Sequence, residues 1–458
     1  MTADAFDVLV RGGGASGAAA AALLGRRGRR VALMVGPERV ACVPEETVLP
    51  ESSAMLGRLG LRATVAAAGR EGTPRHGVIW GDERLRWRPI GTDGPGWKVP
   101  RPDLERDLRE RAAAVGVVVL TASGAAPKAR REILATGKHG PRSPTLPTRF
   151  EDVLPTTVAL WTSVRATPEF ADATVIEAVP PGWLWWLPLR GGGAAVTLFC
   201  DAGEVRALGK DVLWREALTS AAGPARGIEA KVRGGGDATP RLQSPEPVVW
   251  PIGDAASTVD PLSSQGLEKA FASAADAALC LEAVMTHEGD VEAENELRRR
   301  RRAWERRLFR AHAARTLAYY ARESRFAGRP FWKLRHAEAA VRARPDAVPD
   351  DLPLIRSPGV VRSRVWRQAG DVLIPEEGFR RGDDDEAIAQ MGGLPVAPLL
   401  ALFDRPTRTA DALLAAAREP RFILATPGAI RQAVAELYAR KFVAAEAPVA
   451  PVAPVASK

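Results

Sequence analysis

Phe6-Asp7-Val8-Leu9-Val10-Arg11-Gly12-Gly13-Gly14-Ala15-Ser16-Gly17 decides how the chain begins. An apolar run ends at clustered glycines, an Ala/Leu-rich segment continues to about Gly28, and a second apolar run covers residues 30–35. Strand, glycine turn, helix and strand in that order make a βαβ unit opening a doubly wound α/β sheet. Gly12-x-Gly14-x-x-Gly17 lies directly after the strand and opens the helix. Gly12 permits the tight turn and Gly14 lets the backbone approach a pyrophosphate. Gly17 lets the helix pack on the sheet, and the helix N-terminus, with Ser16 in its first turn, faces the phosphates. A glycine turn alone is weak evidence, but strand-turn-helix context favours a dinucleotide.

Outward from this unit, residues 101–116 have helical period, with Leu104 and Leu108 on one face and Gly116 as the stop. Residues 117–120 and 132–135 read as short strands. From 158 to 201 the pattern changes to strand-like runs split by Pro and Gly, as expected of an inserted antiparallel sheet. Residues 248–252 return to the first domain, and helices are expected over 265–285 and 291–320. This places a discontinuous nucleotide domain at 1–157 and 245–337 and a substrate-binding sheet domain at 158–244. A Pro/Asp/Arg-rich linker follows at 338–360, then a small winged-helix-like domain at 361–444. Residues 445–458, with their PVAPVAPVASK ending, read as a disordered, extended tail.

With 458 residues, 46% apolar and 26% charged, the chain has the composition of a globular protein of two or three domains. Cys42, Cys200 and Cys280 lie far apart with no metal-ligand spacing, which fits a reducing compartment and no structural zinc. Of the 64 basic residues only nine are lysine, and the net charge is +9. A GC-rich coding bias explains the arginine excess, and so does a docking face for an acidic partner. The alanines at 18–22 follow Asp4 and Asp7 rather than a basic stretch, and no run of 18 apolar residues occurs, so a cytoplasmic protein without a membrane span is expected.

A second signal stands far downstream: Trp250-Pro251-Ile252-Gly253-Asp254-Ala255-Ala256, then Asp260-Pro261-Leu262-Ser263-Ser264-Gln265-Gly266 and an alanine-rich helix. A strand ending in Gly-Asp presents a carboxylate to a polyol, and the next helix offers its N-terminus to anionic groups. GGGASG, GDAASTVDPLSSQG and the arginine of VPRPDLERDL together resemble the FAD-dependent aromatic monooxygenases and the related flavin-dependent halogenases. The resemblance covers roughly residues 6–335. It implies that Asp254 contacts the ribityl chain, that Pro261 and Gly266 lie beside the isoalloxazine, and that Arg101 and Glu46 belong to the FAD site. The chain departs from the pattern at the end of the second strand. Val35 and Gly36 stand where an acidic residue normally holds the ribose, and Glu38 is the candidate substitute. Arg11 also occupies a place usually apolar.

Gly182-Trp183-Leu184-Trp185-Trp186-Leu187-Pro188 is similar to the GWxWxIP motif of flavin halogenases, which would make Trp183 and Trp185 walls of a substrate tunnel. An aromatic strand is also a common core element. Halogenases deliver hypohalous acid through a lysine, and no lysine precedes Lys98; Arg75 is nearest to the family position, and a guanidinium does not readily give up a proton. Hydroxylation is favoured on this ground. Trp80-Gly81, Gly94-Pro95-Gly96-Trp97, PPGWLWWLPL and the aromatic stretch 319–332 resemble, over the whole length, the flavoprotein monooxygenases that mature tryptophylquinone cofactors, such as that of quinohemoprotein amine dehydrogenase.

That likeness implies reduction of FAD by NAD(P)H, capture of molecular oxygen as a C4a-hydroperoxide and hydroxyl transfer to an indole, with a protein-bound tryptophan as substrate. The cofactor carries the oxygen chemistry, in keeping with five histidines that form no dyad or triad. His76, near the presumed flavin face, is the catalytic candidate among them. An acidic peptide or protein substrate steered by the arginines is expected. Two other readings stay open: a halogenase or small-molecule hydroxylase, and a binding protein on a degenerate flavin fold. The last helix, TPGAIRQAVAELYARKF, suits packing or peptide recognition better than phosphate contact, which argues against nucleic acid.

Overall fold

The computed structural model describes residues 6–37, 45–72, 75–88, 96–122, 126–138, 149–244, 249–342, 353–382, 385–422 and 425–445. Glu38, Cys42 and the tail beyond 445 lie outside them. The chain divides into two compact units, 1–278 with 304–343 and 279–303 with 344–458.

In the first unit, Phe6–Arg11 is the middle strand of a five-stranded parallel sheet ordered Trp250–Pro251, Ala129–Leu134, Phe6–Arg11, Val31–Val35, Val118–Thr121. Val8, Leu9 and Val10 are buried on both faces, the reason this strand reads as a continuous apolar run. Each such side chain contributes roughly 1.5–3 kcal/mol by leaving water. The helix Ala15–Gly25 is buried nearly all round, and its alanines leave no bulk to hold it off its neighbours. Arg11 is explained by its neighbour: it forms an ion pair with Glu132 on the adjacent strand.

A seven-stranded sheet is ordered Gly234–Asp237, Val158–Arg165, Gly193–Cys200, Gly182–Pro188, Ala173–Val179, Arg75–Ile79, Arg86–Arg88. All its pairings are antiparallel except that of Ala173–Val179 with Arg75–Ile79. The sheet thus extends beyond 158–244 and takes two strands from before the helix Arg101–Ala113. Gly182–Pro188 is covered on both sides. Leu184 and Trp186 pack in a cluster with Leu213 and Trp214, whereas Trp183 packs with Phe309, Leu317, Tyr320, Phe331 and Trp332.

The helix Gly266–Thr286 begins in the first unit and ends in the second, and Val291–Tyr320 runs the opposite way. The segment expected as a linker at 338–360 starts inside the helix Pro330–Arg342 and includes the strand Leu354–Arg356.

In the second unit, the domain expected to be winged-helix-like opens on a long antiparallel hairpin, Val360–Ala369 with Val372–Arg381. Three helices follow, Val396–Ala401, Thr409–Ala416 and Pro427–Ala439, around a core that includes Leu399, Phe403, Ile430, Val434 and Leu437. The last strand, Val443–Ala445, pairs back with Leu354–Arg356. The hairpin is tied to the helical segment of its own unit. Arg364 bridges Asp290 (2.8 Å) and Glu296 (3.3 Å), and the Trp366 indole donates to Glu296. No helix among the described residues is long and apolar enough to cross a membrane.

Candidate functional site

The two glycine-bearing bends meet. Gly12 has φ +110°, and a Cβ there would sit 2.3 Å from the Ala135 carbonyl oxygen; one on Gly17 would sit 1.9 Å from that of Gly12. Only glycine fits either place. Gly253, at the end of the Trp250–Pro251 strand, has φ +56°, and a Cβ on it would lie 2.4 Å from Ser16 Oγ and 2.8 Å from Ser16 Cβ. The Gly-Asp bend therefore rests directly on the first turn of the glycine helix. Asp254 is exposed between buried Gly253 and buried Ala255.

Around Gly14 the wall is different. A Cβ there would meet only the Glu105 carboxylate, at 3.4 Å. Glu105 accepts from Arg101 Nε (2.5 Å), and Arg101 also pairs with Glu46, which the strand Glu45–Val48 carries alongside Trp97–Pro100. The Glu46 carboxylate raises the Arg101 pKa above its usual value, so the guanidinium stays charged. Arg109 holds the Gly13 carbonyl at 3.2 Å. The helix Ala15–Gly25 has no side-chain cap at Gly14, and its free N-terminal amides provide a positive end beside this cluster. Val35 packs against Gly13 where an acidic residue was sought, and no carboxylate replaces it among the described residues of that strand end.

The structure brings together Gly12, Gly14, Ser16, Gly17, Glu46, Arg101 and the bend carrying Asp254. Pro261 opens a short helical turn, Pro261–Ser263, and Gly266 is exposed with open space around it. That turn is anchored by Asp260, which caps Leu262 N–H (3.0 Å) and accepts the Tyr320 hydroxyl at 3.0 Å. Tyr320 in turn accepts the Trp183 indole N–H at 3.1 Å. Burial raises the Asp260 pKa, and the hydroxyl donated by Tyr320 opposes it. Trp183 is 1% exposed and stacked on Phe199, so its indole is committed to the core rather than to an open tunnel. Trp185 is half-buried on the same face.

His76 lies opposite Thr174 on the neighbouring strand, its Nε2 buried without a hydrogen-bond partner. Burial, then the positive charges of Lys98 and Arg88, push its pKa down to about 4, so the ring is neutral near pH 7. Arg75 is turned outward onto Asp172 (2.6 Å) and the Trp87 ring. Lys98 is fully buried and donates to Thr174 Oγ1 at 2.9 Å. Nothing in the sequence around Lys98 marks it for a role, because burial of one lysine in a strand leaves no local signal. Trp80 and Gly81 meet the distant stretch at 319–332: the Trp80 indole donates to the Tyr319 carbonyl (3.0 Å), and Gly81 N–H donates to Glu323 (2.7 Å).

These residues fit FAD. Glycines leave room for a pyrophosphate at an uncapped helix N-terminus, Arg101 is held beside it by Glu105 and Glu46, and an exposed aspartate follows Gly253. The architecture is that of the FAD-dependent monooxygenases and halogenases. It is similar to the peptidyl tryptophan dihydroxylase QhpG, described as essential for tryptophylquinone cofactor biogenesis, with TM-score 0.64 and 20% identity over 95% of this chain and 99% of that one. The flavin-dependent halogenase CmlS gives 0.63 and 19% identity over 93% and 96%. PqsL, a probable FAD-dependent monooxygenase from Pseudomonas aeruginosa, gives 0.50 and 19% over 71% and 99%. No family model matches the sequence, and no curated protein does.

Proposed function

We propose that this protein is an FAD-dependent monooxygenase that hydroxylates an aromatic, indole-type substrate, with a tryptophan of a peptide or protein as the preferred form, in the maturation of a tryptophylquinone. The observation that carries the reading is the seat of Gly253 on Ser16, in the first turn of the helix that Gly14 opens, with Asp254 left exposed as the next residue. Bound FAD supplies dioxygen activation: with two electrons from NAD(P)H, one oxygen atom goes to the ring and the other to water. The chain's own residues do the holding. Arg101 and the uncapped helix end would offset the pyrophosphate charge, Asp254 would accept from the ribityl hydroxyls, and residues Pro261 and Gly266 would serve the ring. His76, held neutral by burial, would keep positive charge away from the substrate. The peptide substrate is proposed on the whole-length likeness to QhpG and on the +9 charge, which would steer an acidic partner.

Halogenation is the second reading, and Lys98 favours it: an amine is buried near His76 although none occupies the expected position. Both are tested by incubating the flavin-loaded protein with NAD(P)H, oxygen and either free tryptophan or tryptophan-containing acidic peptides, with and without chloride and bromide. Mass increments of one or two oxygens on peptide support the proposal. Halogen isotope patterns replace it with the second reading, and a protein that binds no flavin removes both.

A further inference from the structure

Gly253 has both of its backbone polar groups held by the alanine-rich helix. Its N–H donates to Ser273 Oγ at 3.0 Å, and its carbonyl accepts from Lys269 Nζ at 2.6 Å. Lys269 and Ser273 are four residues apart and so share one face of Gly266–Thr286. The same ammonium donates to the Ser257 carbonyl, where the chain leaves the bend, and pairs with Glu305 at 3.3 Å. Glu305 also accepts the hydroxyls of Ser257 and Ser273. Lys269, Ser273 and Ser257 are at most 1% exposed, and Glu305 is 5% exposed.

An ammonium has three donors, and here Gly253, Ser257 and Glu305 provide three acceptors. Such a buried pair contributes little net stability, because desolvation offsets the attraction. What it does is define one backbone conformation. The residue gripped on both sides is the one whose φ of +56° turns the next carboxylate outward.

We propose that Lys269, Ser273 and Glu305 are positioning residues that clamp the Gly253–Asp254 bend in the shape that receives the ribityl polyol of the flavin. This rests on the FAD reading above. The clamp acts through the backbone, so its loss weakens cofactor binding without removing any group that touches the cofactor.

The test pairs Ser273→Ala with the double variant Lys269→Met/Glu305→Leu, which replaces the ion pair by apolar groups of similar size. FAD affinity is measured by fluorescence quenching, the environment of the bound ring by the fine structure of its visible bands, and the fold by thermal melting of the FAD-free protein. The expected result is an affinity loss of about tenfold or more in both variants, the size of one lost charge-assisted hydrogen bond. Blurred bands accompany it, while the FAD-free protein still melts cooperatively, lowered by no more than a few degrees. Affinity within about twofold of the parent in folded variants overturns the clamp and leaves the flavin reading intact. A parent protein that binds no FAD overturns the flavin reading itself, and the clamp with it. Should the double variant not fold, Ser273→Ala, which removes a single oxygen, decides the matter alone.

Discussion

Replacing Gly253 by alanine puts a methyl group 2.4 Å from Ser16 Oγ and 2.8 Å from Ser16 Cβ. The hydroxyl can swing away, but the Cβ is fixed to the helix, so the two bends must part by several tenths of an ångström. The left-handed φ of +56° adds roughly 1–2 kcal/mol for any residue with a Cβ. Overpacking adds roughly 1–3 kcal/mol. Gly253→Ala is therefore expected to cost about 2–5 kcal/mol in urea unfolding of the FAD-free protein, and to weaken FAD binding by more than about tenfold. Ser16→Gly removes both clashing atoms. In the combination Ser16→Gly/Gly253→Ala only the φ cost and the helix cost of glycine, roughly 0.5–1 kcal/mol, remain. The cycle should show a favourable coupling of about 1 kcal/mol or more, well outside the roughly 0.3–0.5 kcal/mol scatter of independent sites. Additive effects would refute the contact, and with it the convergence on which the cofactor site depends.

Arg101→Ala leaves Glu46 and Glu105 facing the glycine turn without their cation. FAD titration should show a loss of about tenfold or more, and Arg101→Lys, unable to serve two carboxylates with a planar fork, should recover little of it. The lowered His76 pKa means the unfolded chain binds more protons than the folded one between about pH 4 and 6.5. Stability should accordingly rise with pH across that window, by up to about 3 kcal/mol from this residue. His312 has the same direction and window, so His76→Gln should flatten part of the slope; an unchanged slope in urea unfolding would contradict the buried neutral ring. Glu177 accepts the amides of Ala222 and Gly223 (3.1 Å), and Glu177→Ala should cost about 2–3 kcal/mol in unfolding while leaving FAD affinity near that of the parent.

How much could be read in advance depended on how local each signal was. The opening βαβ unit was legible because periodicity and glycine punctuation coincide within 30 residues, and Val291–Tyr320 was legible from its uninterrupted helical composition. Arg75–Ile79 was not. RHGVI has too few apolar residues to announce a strand, and its partner, Ala173–Val179, lies far along the chain. Glycines and an aspartate carry their functional meaning in their spacing, so the nucleotide turn and the Gly-Asp bend could be found. Lys98, Lys269 and Glu305 could not, because what distinguishes them is burial, and one charged residue among alanines looks the same whether it faces water or not. Trp183 shows the converse: its motif suggested a tunnel, while packing on Phe199 and a bond to Tyr320 place it inside.

The parallel pairing of Arg75–Ile79 with Ala173–Val179 stitches an early stretch of polypeptide into a layer made mostly of much later residues. A fragment cut at 158–244 would leave one long border of that layer bare, its amides and carbonyls ready to join a copy of itself. Swapping the layer between homologues therefore requires carrying residues 75–88 along, as a second insert.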